Sequence, residues 1–124
     1  MEIWEEIKGY EGKYRVSNLG NVKSLWMWTG DKYIRRDKLL RGVLNKNGYL
    51  YVSLSKNGQV KRFKVNRLVA EAFIDNPYNL PITNHKDGNK TNNCVNNLEW
   101  CTYSENLSHA YKIGLRKSIH IKNI

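Results

Sequence analysis

The residues best equipped for chemistry lie in one polar run, TNHKDGNKTNNCVNNLEWCTYSEN, from Thr83 to Asn106. His85 brings an imidazole, and its ordinary pKa near ~6.5 lets it take a proton from water at neutral pH. Amide side chains surround it in the sequence, and most of the run has little apolar surface to bury. An imidazole, several amide oxygens and little negative charge suit one hard cation, held by protein oxygens and completed by water and phosphate. Asn106 and His109 are three apart and share a face if their segment is helical, so either can reach the same place. Asp87 and Glu105 are read as the only nearby acids, but neither spacing forces them inward, and Asp87-Gly88 reads as a turn. A zinc set of Cys94, Cys101, His85 and His109 lacks the usual close cysteine pair.

Positioning these groups takes a strand, a long polar loop, a second strand and a helix. Leu98 and Trp100 alternate with polar Asn97 and Glu99, as on a half-buried strand. Thr102 and Glu105 have capping-box spacing, which predicts a helix over 103–113 with Gly114 as its left-handed C-terminal cap. Upstream, Leu68, Val69, Ala72 and Phe73 at helical spacing predict a short helix over 67–74. Two Asn-Gly turns, at 47–48 and 57–58, separate strand-like runs over 38–44, 49–55 and 59–65 and predict an antiparallel meander. Tyr14 and Val16, then the turn 17–21, then 22–25 predict a hairpin nearer the start. Trp4, Trp26 and Trp28 are expected to pack this thin module, and Trp100 the core. The charged stretch 29–38 reads as a loop, and the chain from 115 onward as a basic tail.

With 124 residues, 40% of them hydrophobic and only 2 Pro, the chain has the composition of a folded globular protein rather than a disordered one. Lys and Arg number 21 against 11 acids, for a net charge of +10. From Leu39 onward the balance is 13 basic to 5 acidic, so the excess accompanies the polar run. Such a surface attracts a nucleic-acid backbone, whose phosphates it neutralises with release of counterions. Two cysteines give no disulfide framework, and no apolar run has the ~20 residues of a membrane span. The expectation is a soluble intracellular protein.

Asn84-His85-Lys86-Asp87-Gly88-Asn89-Lys90-Thr91-Asn92-Asn93, followed by Asn96-Asn97-Leu98-Glu99-Trp100 and Glu105-Asn106, resembles the HNH motif of phage- and intron-encoded homing endonucleases. Trp4 to Gly12 and Tyr14 to Gly20 resemble the short module often fused ahead of it. The resemblance implies an α+β protein: an N-terminal antiparallel β module over 1–60, a ββα-metal (HNH) nuclease unit over 61–114, and the tail over 115–124. It implies cleavage of double-stranded DNA with one divalent cation, Mg²⁺ or Mn²⁺, in the cytoplasm of a bacterial or phage-infected cell. His85 would be the general base, Asn97 would orient its ring, and Asn84 and Asn106 would hold the metal, with His109 accessory. Lys32, Arg35, Arg36, Lys86, Lys90, Arg116 and Lys117 would grip the DNA. Relatives often carry His where Asn66 stands, and some carry Asp at the position of Asn84. A scaffold that binds DNA without cutting it is the alternative these residues leave open.

Overall fold

The computed structural model describes residues 1–112, a β-rich stretch that leads into a strand–strand–helix unit. Strands β1 (Trp4–Glu6), β2 (Tyr14–Ser17), β3 (Val22–Trp28) and β4 (Tyr33–Leu39) form an antiparallel sheet in chain order. The expected hairpin is β2–β3, with Tyr14 opposite Ser24 and Val16 opposite Val22. The charged stretch read as a loop is instead largely β4, paired with β3 from Trp28 opposite Tyr33 to Lys23 opposite Leu39. A strand open to solvent needs no apolar alternation, so its charges hid it. Lys23 and Asp37 pair across the two strands at 2.9 Å.

Trp26 and Trp28 are 46% and 54% exposed, so they do not pack the module as expected. The Trp26 indole donates to the Gly12 carbonyl at 2.9 Å, and the Trp28 ring lies against Tyr33 with centroids 4.9 Å apart. Both rings lie on the outer part of a hairpin that stays open to solvent.

A second antiparallel sheet, β5 (Val43–Leu44), β6 (Leu50–Lys56) and β7 (Gln59–Lys64), is the expected meander. Asn57 and Gly58 both take positive φ, 53° and 76°, as the two-residue hairpin turn demands. Its first strand is shorter than expected, because residues 38 and 39 belong to β4 in the other sheet. Val52 and Leu54 point into the core while Ser53 and Ser55 face solvent, which is the period-two pattern of the sequence.

Helix α1 (Val65–Phe73) starts two residues before its expected position and lays Val65, Leu68 and Val69 on the core. One buried cluster joins both larger sheets, α1 and β9: Ile7 just after β1, Val16 and Val22 from the first sheet, Val52 and Leu54 from the second, and Leu98 from the last hairpin. Each side chain so enclosed contributes about 1.5–3 kcal/mol. The site is therefore anchored to the same core as the N-terminal strands.

The last unit is β8 (Ile82–His85), a long loop with a 3-10 turn at Val95–Asn97, β9 (Leu98–Cys101) and α2 (Tyr103–Lys112). The capping box forms: the Glu105 N–H donates to Thr102 Oγ1 at 3.1 Å, and the Thr102 N–H donates to Glu105 Oε1 at 2.9 Å. Trp100 is half-buried, its indole donating to the Ile74 carbonyl at 3.0 Å. The cap at Gly114 and the tail with Arg116 and Lys117 lie outside the described residues. Among the described residues, no helix is long and apolar enough to cross a membrane.

Candidate active site

Strand β8 ends on the two residues that matter most, Asn84 and His85, which are buried although both are polar. Burial of such groups requires partners. Pairing with β9 sets Asn84 opposite Glu99 and His85 opposite Leu98. Asn84 Nδ2 donates to Glu99 Oε2 at 2.8 Å. His85 Nε2 meets Asn93 Oδ1 at 2.7 Å. Because a carbonyl oxygen only accepts, this contact places the ring proton on Nε2 and leaves the Nδ1 lone pair free to take a proton.

Asn97 was expected to orient that ring, but it is engaged elsewhere. Its Nδ2 donates to Asp87 Oδ1 and to the Asn92 carbonyl, both at 2.9 Å, while its Oδ1 accepts from the Asp87 N–H at 3.0 Å. Asp87 also accepts from the Asn89 N–H at 2.7 Å and from Asn92 Nδ2 at 2.9 Å. These bonds, led by that from Asn92, hold its carboxyl below the usual aspartate range. Asn97 and Asp87 thus tie the loop shut, and Asn93 meets the imidazole. Nothing local distinguishes one asparagine of the run from another, which is why the sequence does not single out Asn93.

Burial is the main influence on His85 and pushes its pKa below the ordinary 6.5, assisted by the charges of Lys90 and Lys64; the bond to Asn93 and the charge of Asp87 oppose it. This direction favours the neutral ring, the form a general base needs. Both lysines reach it through Tyr49. Their ammonium groups stand 4.3 Å and 4.8 Å from the Tyr49 ring centroid, and that ring lies 6.0 Å from the imidazole. Lys64 carried no sequence signal beyond its charge. Lys90 also donates to the Asn47 carbonyl at 2.8 Å.

Helix α2 packs against β8, and His109 Nε2 bonds the Lys86 carbonyl at 2.7 Å. His109 fastens the helix to the loop, and Asn106 lies one turn earlier on that face. On the other side the β2–β3 turn presses on the loop. The Val95 N–H donates to the Asn18 carbonyl at 2.8 Å, and a Cβ on Gly20 would fall 2.9 Å from Asn93 Cβ. Behind β8, the buried Asn66 side chain donates to the Thr83 carbonyl at 3.4 Å, while Asn66 Oδ1 and Thr83 Oγ1 lack partners among the described residues.

The donor chemistry here is amide oxygen with the Glu99 carboxylate against Asn84, which fits a hard divalent cation. Among the described residues, no three His, Cys, Asp or Glu side chains cluster as a metal site. Cys101 is buried, and burial pushes its thiol up to about 11. Of the cations expected to grip DNA, Lys32 and Lys86 are exposed, while Arg35 pairs with Asp37 at 3.0 Å and the exposed Arg36 lies against Met27.

Residues 2–55 match the NUMOD4 motif. The chain is 40% identical over 111 residues to the DNA endonuclease I-HmuI of Bacillus phage SP01, covering 90% of this chain and 59% of that protein. It is 42% identical over 114 residues to an uncharacterized HNH endonuclease of Acanthamoeba polyphaga mimivirus, covering 92% of this chain and 31% of the relative. Among solved structures, one of DNA binding and cleavage by the HNH homing endonuclease I-HmuI superposes with a TM-score of 0.77 at 38% identity, over 98% of this chain and 64% of that one. The chain thus spans less than two thirds of the length of each of these relatives.

Proposed function

We propose that this chain, which is similar to HNH homing endonucleases and matches the NUMOD4 motif over residues 2–55, is a divalent-metal-dependent endonuclease acting on double-stranded DNA. The observation that carries this reading is the buried His85, with Nε2 bonded to Asn93, at the end of a strand that also presents Asn84. Residues 61–114 form the nuclease unit, and residues 1–60 form the module that flanks it and helps to hold DNA.

His85 takes a proton from the attacking water at Nδ1 while Asn93 keeps the ring from turning. The hydroxide so formed attacks phosphorus, the bond to the 3′ oxygen breaks, and that oxygen takes a proton from solvent water, leaving 5′-phosphate and 3′-hydroxyl ends. Asn84 and Asn106 would hold Mg²⁺ or Mn²⁺. When bound, that cation stabilises negative charge on the phosphate and the leaving oxygen. Lys64, Lys86 and Lys90 offset phosphate charge beside the histidine. Lys32, Arg35 and Arg36 on the β3–β4 hairpin, with Arg116 and Lys117, extend the grip. The setting is the cytoplasm of a bacterial or phage-infected cell.

The test is incubation of the purified protein with supercoiled plasmid in Mg²⁺, Mn²⁺ or EDTA, beside His85→Ala. Nicked or linear DNA that requires metal and disappears in the variant is the expected result. Retained DNA binding with no product in any metal would overturn the nuclease and leave a DNA-binding scaffold.

A further inference from the structure

On the metal-dependent reading above, the ligands Asn84 and Asn106 would be neutral amides, and a neutral amide binds a hard cation less strongly than a carboxylate does. Pairing of β8 with β9 brings the carboxylate of Glu99, which the resemblance gave no role, opposite Asn84. Glu99 stands directly across the ladder from Asn84 and accepts a 2.8 Å hydrogen bond from its Nδ2. An ionised carboxylate can only accept, so it dictates which end of the Asn84 amide faces it. The NH₂ end is taken and Oδ1 is turned away from Glu99. Among the described residues, Asn84 Oδ1 receives no side-chain or loop hydrogen bond, and it is not one of the enclosed orphan atoms.

We propose that Glu99 is the positioning residue of the metal site: through its bond to Nδ2 it presents Asn84 Oδ1 to the cation, and it supplies the negative charge that Asn84 lacks. The inference rests on the metal-dependent reading above. Asn84 and Glu99 together do the work of one ligating carboxylate, divided between two strands. Charge density reaches Oδ1 through the amide, which a carboxylate on the NH₂ end polarises. An ordinary cross-strand pair would stabilise the hairpin and do nothing to a cation.

Exchange of the two side chains separates these roles. Glu99→Gln keeps the shape, but glutamine both donates and accepts, so it neither dictates the amide's orientation nor carries charge. Asn84→Asp combined with Glu99→Gln returns one carboxylate and one amide with their places swapped. The readouts are Mn²⁺ binding by electron paramagnetic resonance, Mn²⁺ broadening of the residue 84 side-chain signals by NMR, the Mn²⁺ concentration for half-maximal nicking, and thermal melting.

Glu99→Gln is expected to weaken Mn²⁺ binding about tenfold or more, to raise the Mn²⁺ needed for nicking in parallel, and to keep the wild-type melting temperature. The exchanged double variant is expected to recover most of the Mn²⁺ affinity. Wild-type Mn²⁺ affinity in Glu99→Gln, with affinity lost in Asn84→Ala, would overturn the role of Glu99 and leave the metal reading standing. Equal Mn²⁺ binding by wild type and Asn84→Ala would overturn the metal site itself and Glu99 with it. If Glu99→Gln alone melts early, the double variant decides: recovered folding without recovered Mn²⁺ affinity makes the pair structural only and sinks the proposal.

Discussion

Two antiparallel hairpins of this chain are rich in polar residues, and they are built on opposite principles. In β3–β4 the polar side chains point into solvent: Lys32, Arg35, Arg36 and Lys38 are exposed, together with Trp26, Trp28 and Tyr33. In β8–β9 they point inward, and Thr83, Asn84, His85 and Asn93 are all buried. An exposed cation keeps its hydration and can meet a phosphate at little cost. A buried imidazole has given up much of its hydration, and its bond to Asn93 fixes its direction. The first construction serves attraction and the second serves chemistry.

The sharpest way to break the contrast is to remove the imidazole. His85→Ala should lower plasmid cleavage about 10²–10⁴-fold with DNA binding retained, as read by nicking and gel-shift assays on the same preparation. Next comes the fastening of the loop. Asn97→Ala deletes three hydrogen bonds to Asp87 and Asn92 and should cost about 1–3 kcal/mol by denaturant unfolding. It should also reduce cleavage, although Asn97 does not touch the histidine.

A smaller loss is expected from a residue far before His85 in the chain. Gly20 has φ of 89° and abuts the Asn93 backbone, so Gly20→Ala should cost about 1–3 kcal/mol of strain and shift the His85 ring resonances by NMR. Unchanged resonances would uncouple the N-terminal turn from the site. The least effect on turnover belongs to the exposed hairpin. Lys32→Ala, Arg35→Ala and Arg36→Ala should each reduce the salt dependence of DNA binding by roughly one unit of slope, with cleavage at saturating DNA unaltered. A loss of turnover instead would place the β3–β4 hairpin within the reacting site.

Features set by neighbours along the chain are legible in the sequence itself. The Asn-Gly turns specify their own dihedrals, Thr102 and Glu105 meet because a helix turn places them together, and the polar run marks a segment without a core of its own. Asn84-His85 at the end of a strand, with Asn106 and His109 on one helix face, also follows from local pattern. Other features depend on residues far apart. Strand β4 exists because β3 offers it a ladder, whatever its charge. Asn93, rather than Asn97, meets His85 because the loop is pinned from residues 18 to 20, with Val95 bonded to Asn18 and Cys94 to Leu19. Glu99 faces Asn84 because the β8–β9 register sets them opposite each other. A sequence states which groups can donate, accept or ionise, but choosing among several chemically equivalent amides takes the path of the backbone, and that path is set by packing on a core that both larger sheets, α1 and β9 share.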